Sequence, residues 1–381
     1  MSRLLVGVMS GTSLDAIDIA IVEIDGEHDD LNVNLLAHGD RPFDGQTRSR
    51  LHRASSGQMH IRDAFDLDAD LGCLYAEAVL DVLREHHVTR PIDAIGLHGQ
   101  TVYHNPRRAP AGVTVQLNGA AIVAERLGAT VVSNFRSADV AAGGEGAPLV
   151  PWCDFLLLRS PELNRIALNI GGIANITWLP RDVSLETLVA FDTGPGNMMI
   201  DAAVDYLFGQ PIDRNGAIAA SAHPDTVWLD DLMRDDYYAC PYPKSAGREQ
   251  FGRERTMEVV NFARARGLED RTIVATLTAL TARSIAHGIA LASQGMSVDE
   301  LIVGGGGVRN VTLMGFLAGE LSRVRIRASD EFGLPSDAKE AVCFALLADA
   351  HLRGVPANVP SVTGAARQVI SGACWPGLTR S

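Results

Sequence analysis

Apolar positions open the chain in two runs, Leu4–Val8 and Ile17–Ile24, the second alternating around Asp18. Both predict strands, because β-branched residues at a period of two suit a pleated sheet. They flank a small polar stretch, Met9-Ser10-Gly11-Thr12-Ser13-Leu14-Asp15. Further strand-like runs are Asn32–Ala37, Ile92–Leu97, Val113–Leu117, Thr130–Ser133, Arg165–Ile170, Ile173–Trp178, Leu188–Phe191 and Glu300–Val303. Helical periodicity marks Asp66–His86, Gly119–Leu127, Asn197–Phe208, Thr226–Met233, Glu254–Arg264, Thr272–Ser293, Val311–Leu321 and Asp337–His351. Strands lead each half and helices follow, so the pattern predicts an α/β protein. The second half opens like the first, with strand, turn and strand in "IALNIGGIANITWL", where Gly171-Gly172 makes the turn. Two related lobes with a cleft between them are therefore expected. The polar, Gly-rich stretch Asn134–Gly146 marks the boundary. It gives a first lobe over residues 1–135 and a second over 136–354. The loop-like tail, 355–381, is expected to pack back on the first.

Composition narrows the function classes. The net charge of −13 excludes non-specific binding to nucleic acid or an anionic membrane, which needs clustered basic residues. Lys occurs only at Lys244 and Lys339. A phosphate clamp therefore falls to Arg, backbone N–H groups or a metal. Five scattered cysteines, with no CxxC pair, suit a reducing cytoplasm. The N-terminus reads as a strand, not a signal peptide. Ile273–Leu291 is weakly polar but carries Arg283 and His287, so it reads as a buried helix and not a membrane span.

Four small-residue turns follow or join strand-like runs: Ser10–Asp15, Gly143–Gly146, Asp192–Asn197 ("DTGPGN") and Gly304–Gly307. Glycine lets backbone N–H groups approach an anion, and a nearby carboxylate can hold Mg²⁺. The P-loop, dinucleotide and protein-kinase motifs are missing from the sequence. Asp192 follows the apolar run ending at Phe191, where α/β ligand sites gather, and suits a base, a metal ligand or a turn cap. Asn197 is placed to cap the next helix. "LHGQTVYH" (Leu97–His104) concentrates His98, Gln100 and His104, groups suited to reading a sugar or amide. "VSNFRSAD" adds Asn134, Arg136 and Asp139, with Arg136 suited to a substrate carboxylate. Late in the chain, Ser336 is expected to cap a helix whose first turn carries Lys339 and Glu340. Glu340 either reaches the cleft or favours the helix N-terminus.

These motifs together resemble the bacterial 1,6-anhydro-N-acetylmuramic acid kinases. The markers are "GVMSGTSLDAIDIA", "LHGQTVYH", "NFRSADVAAGGEGAPLVP", "LNIGGIANIT", "FDTGPGNMMID", "VGGGGVRN" and "PSDAKEA", in order along nearly the whole chain. The resemblance implies the two-lobed sugar kinase/Hsp70/actin-like fold with an ATP cleft between the lobes. It implies that Gly11, Thr12, Ser13, Leu14, Asp15, Ala16, Ile17 and Asp18 form a first phosphate loop. Asn169, Gly171, Gly172, Gly194, Gly196 and Asn197 belong to a second, and Gly304, Gly305, Gly306 and Asn310 to an adenosine-side loop. His98, Gln100, Asn134, Arg136, Asp139 and Glu340 fall on the sugar side, and Asp192 matches the family's catalytic carboxylate. The wider superfold ends its first strand in an Asp where this chain has Met9, which leaves Asp15, Asp18 or Asp192 for Mg²⁺. The implied reaction is ATP-dependent, hydrolytic opening of the anhydro ring with phosphorylation of O6. It yields N-acetylmuramic acid 6-phosphate for cell-wall recycling, in a cytoplasmic homodimer. Two other readings stand beside it: another sugar or acid kinase of the superfold without ring hydrolysis, and a non-catalytic nucleotide-dependent binding protein.

Overall fold

The computed structural model describes residues 2–11, 13–27 and 31–377. Thr12, expected in the first phosphate loop, lies outside them. Along the chain come β1 (Arg3–Ser10), β2 (Ala16–Asp25), β3 (Asn32–Pro42), α1 (Gly45–Ser55), α2 (Ile61–Glu85), β4 (Ala94–Leu97), β5 (Gln100–Asn105), β6 (Val113–Leu117), α3 (Ala120–Leu127), β7 (Thr130–Ser133), α4 (Ser137–Ala141) and α5 (Val150–Leu158). There follow β8 (Arg165–Ile170), β9 (Ile173–Leu179), β10 (Val189–Pro195), α6 (Met198–Phe208), α7 (Ala217–Ala220), α8 (Thr226–Leu232), α9 (Asp236–Ala239), α10 (Arg248–Phe251), α11 (Arg253–Ala265) and α12 (Asp270–Ser293). The chain ends through β11 (Glu300–Gly304), α13 (Val311–Glu320), β12 (Arg325–Ala328), α14 (Lys339–Leu352), α15 (Pro360–Thr363) and β13 (Ala373–Trp375).

Two compact units divide these elements: Met1–Leu157 with Asp337–Ser381, and Leu158–Ser336. The boundary expected at 135/136 thus falls later, and α14 joins the first unit. The physical reason lies in the Gly-rich stretch read as a linker. Asp139 accepts from Gly146 N at 2.7 Å, from Asn358 Nδ2 at 2.7 Å and from Thr363 Oγ1 at 2.7 Å, which ties 139–146 to the tail.

The first unit is built on a six-stranded sheet ordered β13-β7-β4-β1-β2-β3, beside the β5–β6 hairpin. Alternation along β1 and β2 sorts the faces. Leu4, Val6, Val8, Ile17, Ile19 and Ile21 enter one core with Leu67, Leu71, Tyr75 and Val79 of α2. On the other face Gly7 and Gly96 let α14 approach backbone to backbone. A Cβ at Gly7 would collide with the Ala341 carbonyl, and one at Gly96 with the Phe344 carbonyl.

The second unit has a five-stranded sheet ordered β10-β9-β8-β11-β12. β8, β9 and β10 pair antiparallel, and β11 runs parallel to β8 and β12. In the first unit β1, β2 and β3 are likewise antiparallel, with β4 parallel to β1 and β7 parallel to β4. The echo between the halves is therefore one shared topology. Helix α12 is long and apolar enough to cross a membrane, yet it is largely buried inside this unit. Its Ile285 and Ile289 pack with β8, β9 and β11.

Two other expectations need correction. Ser336 does not cap α14: the cap position is Ala338, without a side-chain bond, and the Ser336 hydroxyl lies 3.4 Å from that of Ser329. Nor are all the cysteines thiols. Cys153 of α5 and Cys343 of α14 are joined in a disulfide, with their Cα atoms 5.7 Å apart. A separation of 190 residues hides that proximity from the sequence.

Candidate functional site

Each unit carries its own set of candidate groups. In the first, β1 and β2 enclose the turn at Gly11–Asp15. Leu14 N–H bonds the Gly11 carbonyl at 3.2 Å, and Leu14 takes a left-handed φ of 59°. A branched side chain adopts that conformation at a cost of about 1–3 kcal/mol. Burial of Leu14 in the α2 core offsets it and leaves Ser13 and Asp15 exposed. Ser13 Oγ and Ala16 N both donate to Asp15 Oδ1, so the acid organises the turn. Ala16 and Ile17 begin β2, with Ile17 buried.

Met9 and Asp18 are register partners across β1 and β2. The two side chains share a face, so Asp18 sets a carboxylate beside Met9 near the end of β1. Burial pushes the Asp18 carboxyl up to about 7, reinforced by Glu340, Asp15, Asp40 and Asp337. Glu340, in the first turn of α14, keeps an accessible side chain although protein atoms crowd around it. That crowding raises its carboxyl, against the pull of Arg136 and Lys339.

Behind Glu340 stands a fixed relay. Arg136 Nε donates to His98 Nε2 at 2.9 Å, and His98 Nδ1 lies 2.7 Å from the Gly99 carbonyl. These partners assign neutral His98 with its proton on Nδ1, in keeping with burial and the Arg136 charge, which drive its basicity well down. Arg136 Nη1 also donates to the Gly146 carbonyl at 2.8 Å. Burial lowers the guanidinium to about 10, while Glu340 and Asp139 oppose the shift. His98 therefore holds Arg136 in place and has both ring nitrogens engaged. Gln100 differs: it is fully buried, and neither amide atom has a hydrogen-bond partner among the described residues. Asn134 is exposed at φ 58° and accepts from Ser137. Asp139 is engaged by the loop and the tail, as above, which assigns it to the fold. His104 Nδ1 pairs with Thr114 Oγ1 at 3.0 Å across the β5–β6 hairpin.

In the second unit the strand does not stop at Phe191. β10 continues to Pro195, with a register shift between Asp192 and Gly194. Gly194 has φ 149°, and a Cβ there would press on Tyr238 and Ser284. The turns at 171–172 and 194–197 lock together: Gly196 N and Met198 N donate to the Gly172 carbonyl, and Asn197 N to the Gly171 carbonyl. The N–H groups of Gly196 and Asn197 are thus directed into the fold and not presented to an anion. Asn197 makes no side-chain cap either; its Nδ2 bonds the Gly171 carbonyl at 3.2 Å. Asn310, which the resemblance puts on the nucleotide side, caps α13 by accepting from Leu313 N at 3.0 Å. Gly304 ends β11. Gly305, at φ 83°, passes too close to Asn169 and the Ile170 carbonyl for a side chain, and Gly306 faces open space.

Asp192 is held by a segment the sequence reading passed over. Its Oδ2 accepts from Ala246 N at 2.8 Å, its carbonyl from Tyr237 OH at 2.6 Å, and its N–H donates to the Lys244 carbonyl at 3.2 Å. Burial raises the carboxyl to about 6, and the Ala246 bond restrains the shift. The available signal was the rarity of lysine: Lys244 is one of two, and the other, Lys339, is buried in an ion pair with Asp154.

The family model for anhydro-N-acetylmuramic acid kinase matches residues 3–377. The anhydro-N-acetylmuramic acid kinase of Salinibacter ruber is 42% identical over 371 residues, covering 95% of this chain and 94% of its own. That of Bacillus cereus is 40% identical over 377 residues, 96% of this chain and 97% of its own. Among solved structures, the activator of the 2-hydroxyisocaproyl-CoA dehydratase from Clostridium difficile, with bound ADPNP, aligns over 92% of this chain and 96% of its own. Its TM-score is 0.46 and its identity 12%.

Proposed function

Because the chain belongs to the anhydro-N-acetylmuramic acid kinase family, we propose that it uses ATP to open the 1,6-anhydro ring of anhydro-N-acetylmuramic acid and to phosphorylate O6, yielding N-acetylmuramic acid 6-phosphate and ADP. Asp192 is the general base. It takes a proton from water as the water oxygen bonds the anomeric carbon, the bond from that carbon to O6 breaks, and O6 captures the γ-phosphoryl group. The observation that carries this reading is the state of Asp192. One oxygen is fixed by Ala246, and the carboxyl is raised to about 6, basic enough to accept a proton yet ionised at neutral pH.

On the sugar side, Arg136 is held for a substrate carboxylate, and the Gln100 amide is free to pair with sugar or acetamido groups. Ser13, Asp15 and the backbone of the first turn are assigned to phosphate. The acids around Asp18 fit a divalent cation: after burial, it is the negative charge of Glu340, Asp15, Asp40 and Asp337 that raises the Asp18 carboxyl. No group of three acid, His or Cys side chains in metal-holding geometry occurs among the described residues. A Mg²⁺ ion would therefore take Asp18 or Asp15 together with phosphate oxygens, and when bound it neutralises phosphate charge. Turnover in ¹⁸O-water tests the reaction. Label at the anomeric oxygen of the phosphorylated product is expected. A phosphorylated product without label would leave a simple sugar kinase, and no sugar-dependent ATP consumption would leave a binding protein.

A further inference from the structure

Among the described residues β10 is an edge strand, so one side of its backbone has no sheet partner. At Asp192 that side is covered by one segment, Tyr237–Ala246, which makes three bonds to a single residue. It meets the outward N–H through the Lys244 carbonyl, the outward C=O through Tyr237 OH, and one carboxylate oxygen through Ala246 N. The segment is closed on itself. Lys244 Nζ donates to the Tyr237 carbonyl at 3.0 Å and lies 4.6 Å from the centre of the Tyr237 ring. Tyr242 stacks on Phe191, the residue before Asp192, at 5.3 Å and 4°. Phe251 packs edge-on to Tyr237 at 5.3 Å.

The location gives the bonds their meaning. The register shift between Asp192 and Gly194 is the point where a strand bends and re-aims a side chain. A bulge on an edge strand lacks a second neighbour to define its geometry. Here the Tyr237–Ala246 segment is that neighbour. It ties Oδ2 and leaves Oδ1 as the oxygen presented for proton transfer.

We propose that Tyr237–Ala246 is a clasp that aims the Asp192 carboxylate, with Tyr237 and Lys244 as positioning residues. The proposal rests on Asp192 being the base. A misplacement of about 1 Å can lower a rate by about a hundredfold. Tyr237→Phe removes only the hydroxyl that holds the Asp192 carbonyl. We expect kcat to fall about tenfold or more, with KM for ATP and sugar within about twofold. Lys244→Met should lower kcat in the same way, and Lys244→Arg, which can still donate to the Tyr237 carbonyl, should recover most of it.

Ala246→Pro removes the N–H that restrains the carboxyl, so the acid limb of kcat/KM should move to higher pH. Ala246→Gly keeps the N–H and should leave the limb in place. Asp192→Asn, run beside these, separates the two ideas. If it is slow while folded Tyr237→Phe turns over at the wild-type rate and no Ala246 variant moves the limb, the clasp is overturned and the base reading stands. If Asp192→Asn itself turns over normally, the base reading falls and the clasp's role falls with it.

Discussion

Single residues in this protein divide by whether their polar atoms are already engaged. Asp192 retains one free oxygen, so its role is open to a direct test. Asp192→Asn preserves shape and the Ala246 contact but cannot take a proton. It should bind ATP and sugar, fold normally and turn over at least about a hundredfold more slowly, a loss typical of a missing general base. In the wild type, activity should fall as pH drops through about 6, because protonation removes the base. Gln100→Ala should raise KM for the sugar and leave ATP binding unchanged; an effect confined to ATP would move this amide to the nucleotide side. Asp18 makes a stability prediction. Its folded carboxyl is raised to about 7 from an ordinary value near 4, so the fold carries no charge penalty there at low pH. The penalty grows as pH rises through that window. Asp18→Asn should therefore raise Tm at pH 8 and change it little at pH 4, measured without divalent cation; an equal change at both would remove the electrostatic account.

Elements meet at two kinds of place: where backbones must touch, and where a turn is left open. Gly7 and Gly96 are of the first kind, since α14 lies directly on β1 and β4. Gly96→Ala should cost at least about 1–3 kcal/mol of stability, the usual cost of overpacking, read as a lower denaturant midpoint at unchanged slope. Gly11 is of the second kind. A Cβ there meets Ser13 Oγ at 3.6 Å and Ser13 N at 4.0 Å, ordinary contacts, so the fold has room for one. Gly11→Val should keep the fold and weaken ATP binding by equilibrium titration; unchanged affinity would mean that the turn does not approach phosphate. The other strands of the two sheets were legible because buried apolar residues dominate them or alternate along them. β12 and β13 were missed because Arg325–Ala328 and Ala373–Trp375 are short and edge-placed, with little apolar periodicity. α1 was missed because "GQTRSRLHRAS" buries only Thr47 and Leu51.

At the scale of the whole molecule, chain order and spatial grouping part company. Residues 337–381 return to the first unit across 179 intervening residues, 158 to 336. The Cys153–Cys343 disulfide joins the stretch before that excursion to the stretch after it. It makes a simple prediction. Unreduced protein, denatured and titrated with a thiol reagent, should show three thiols, those of Cys73, Cys240 and Cys374, and five after reduction. Five before reduction would refute the bond.

Linear pattern was enough for the α/β class, the strand–turn–strand start of each half, the family, and the candidate loops. These depend on local periodicity and on small residues at turns, which a linear pattern records. Which candidates have atoms to offer depends on the folded chain. Gln100 and Asn310 are both amides shortly after a glycine turn, yet one is buried without partners among the described residues and the other caps a helix. Asp139 and Asp192 both come after apolar, strand-like runs in the sequence, yet one is consumed by Asn358 and Thr363 and the other is held by Tyr237, Lys244 and Ala246. Hydrogen-bond partners at separations of 45 to more than 200 residues leave no periodic trace. They are chosen by packing, because a buried polar atom takes whichever partner the fold brings within reach.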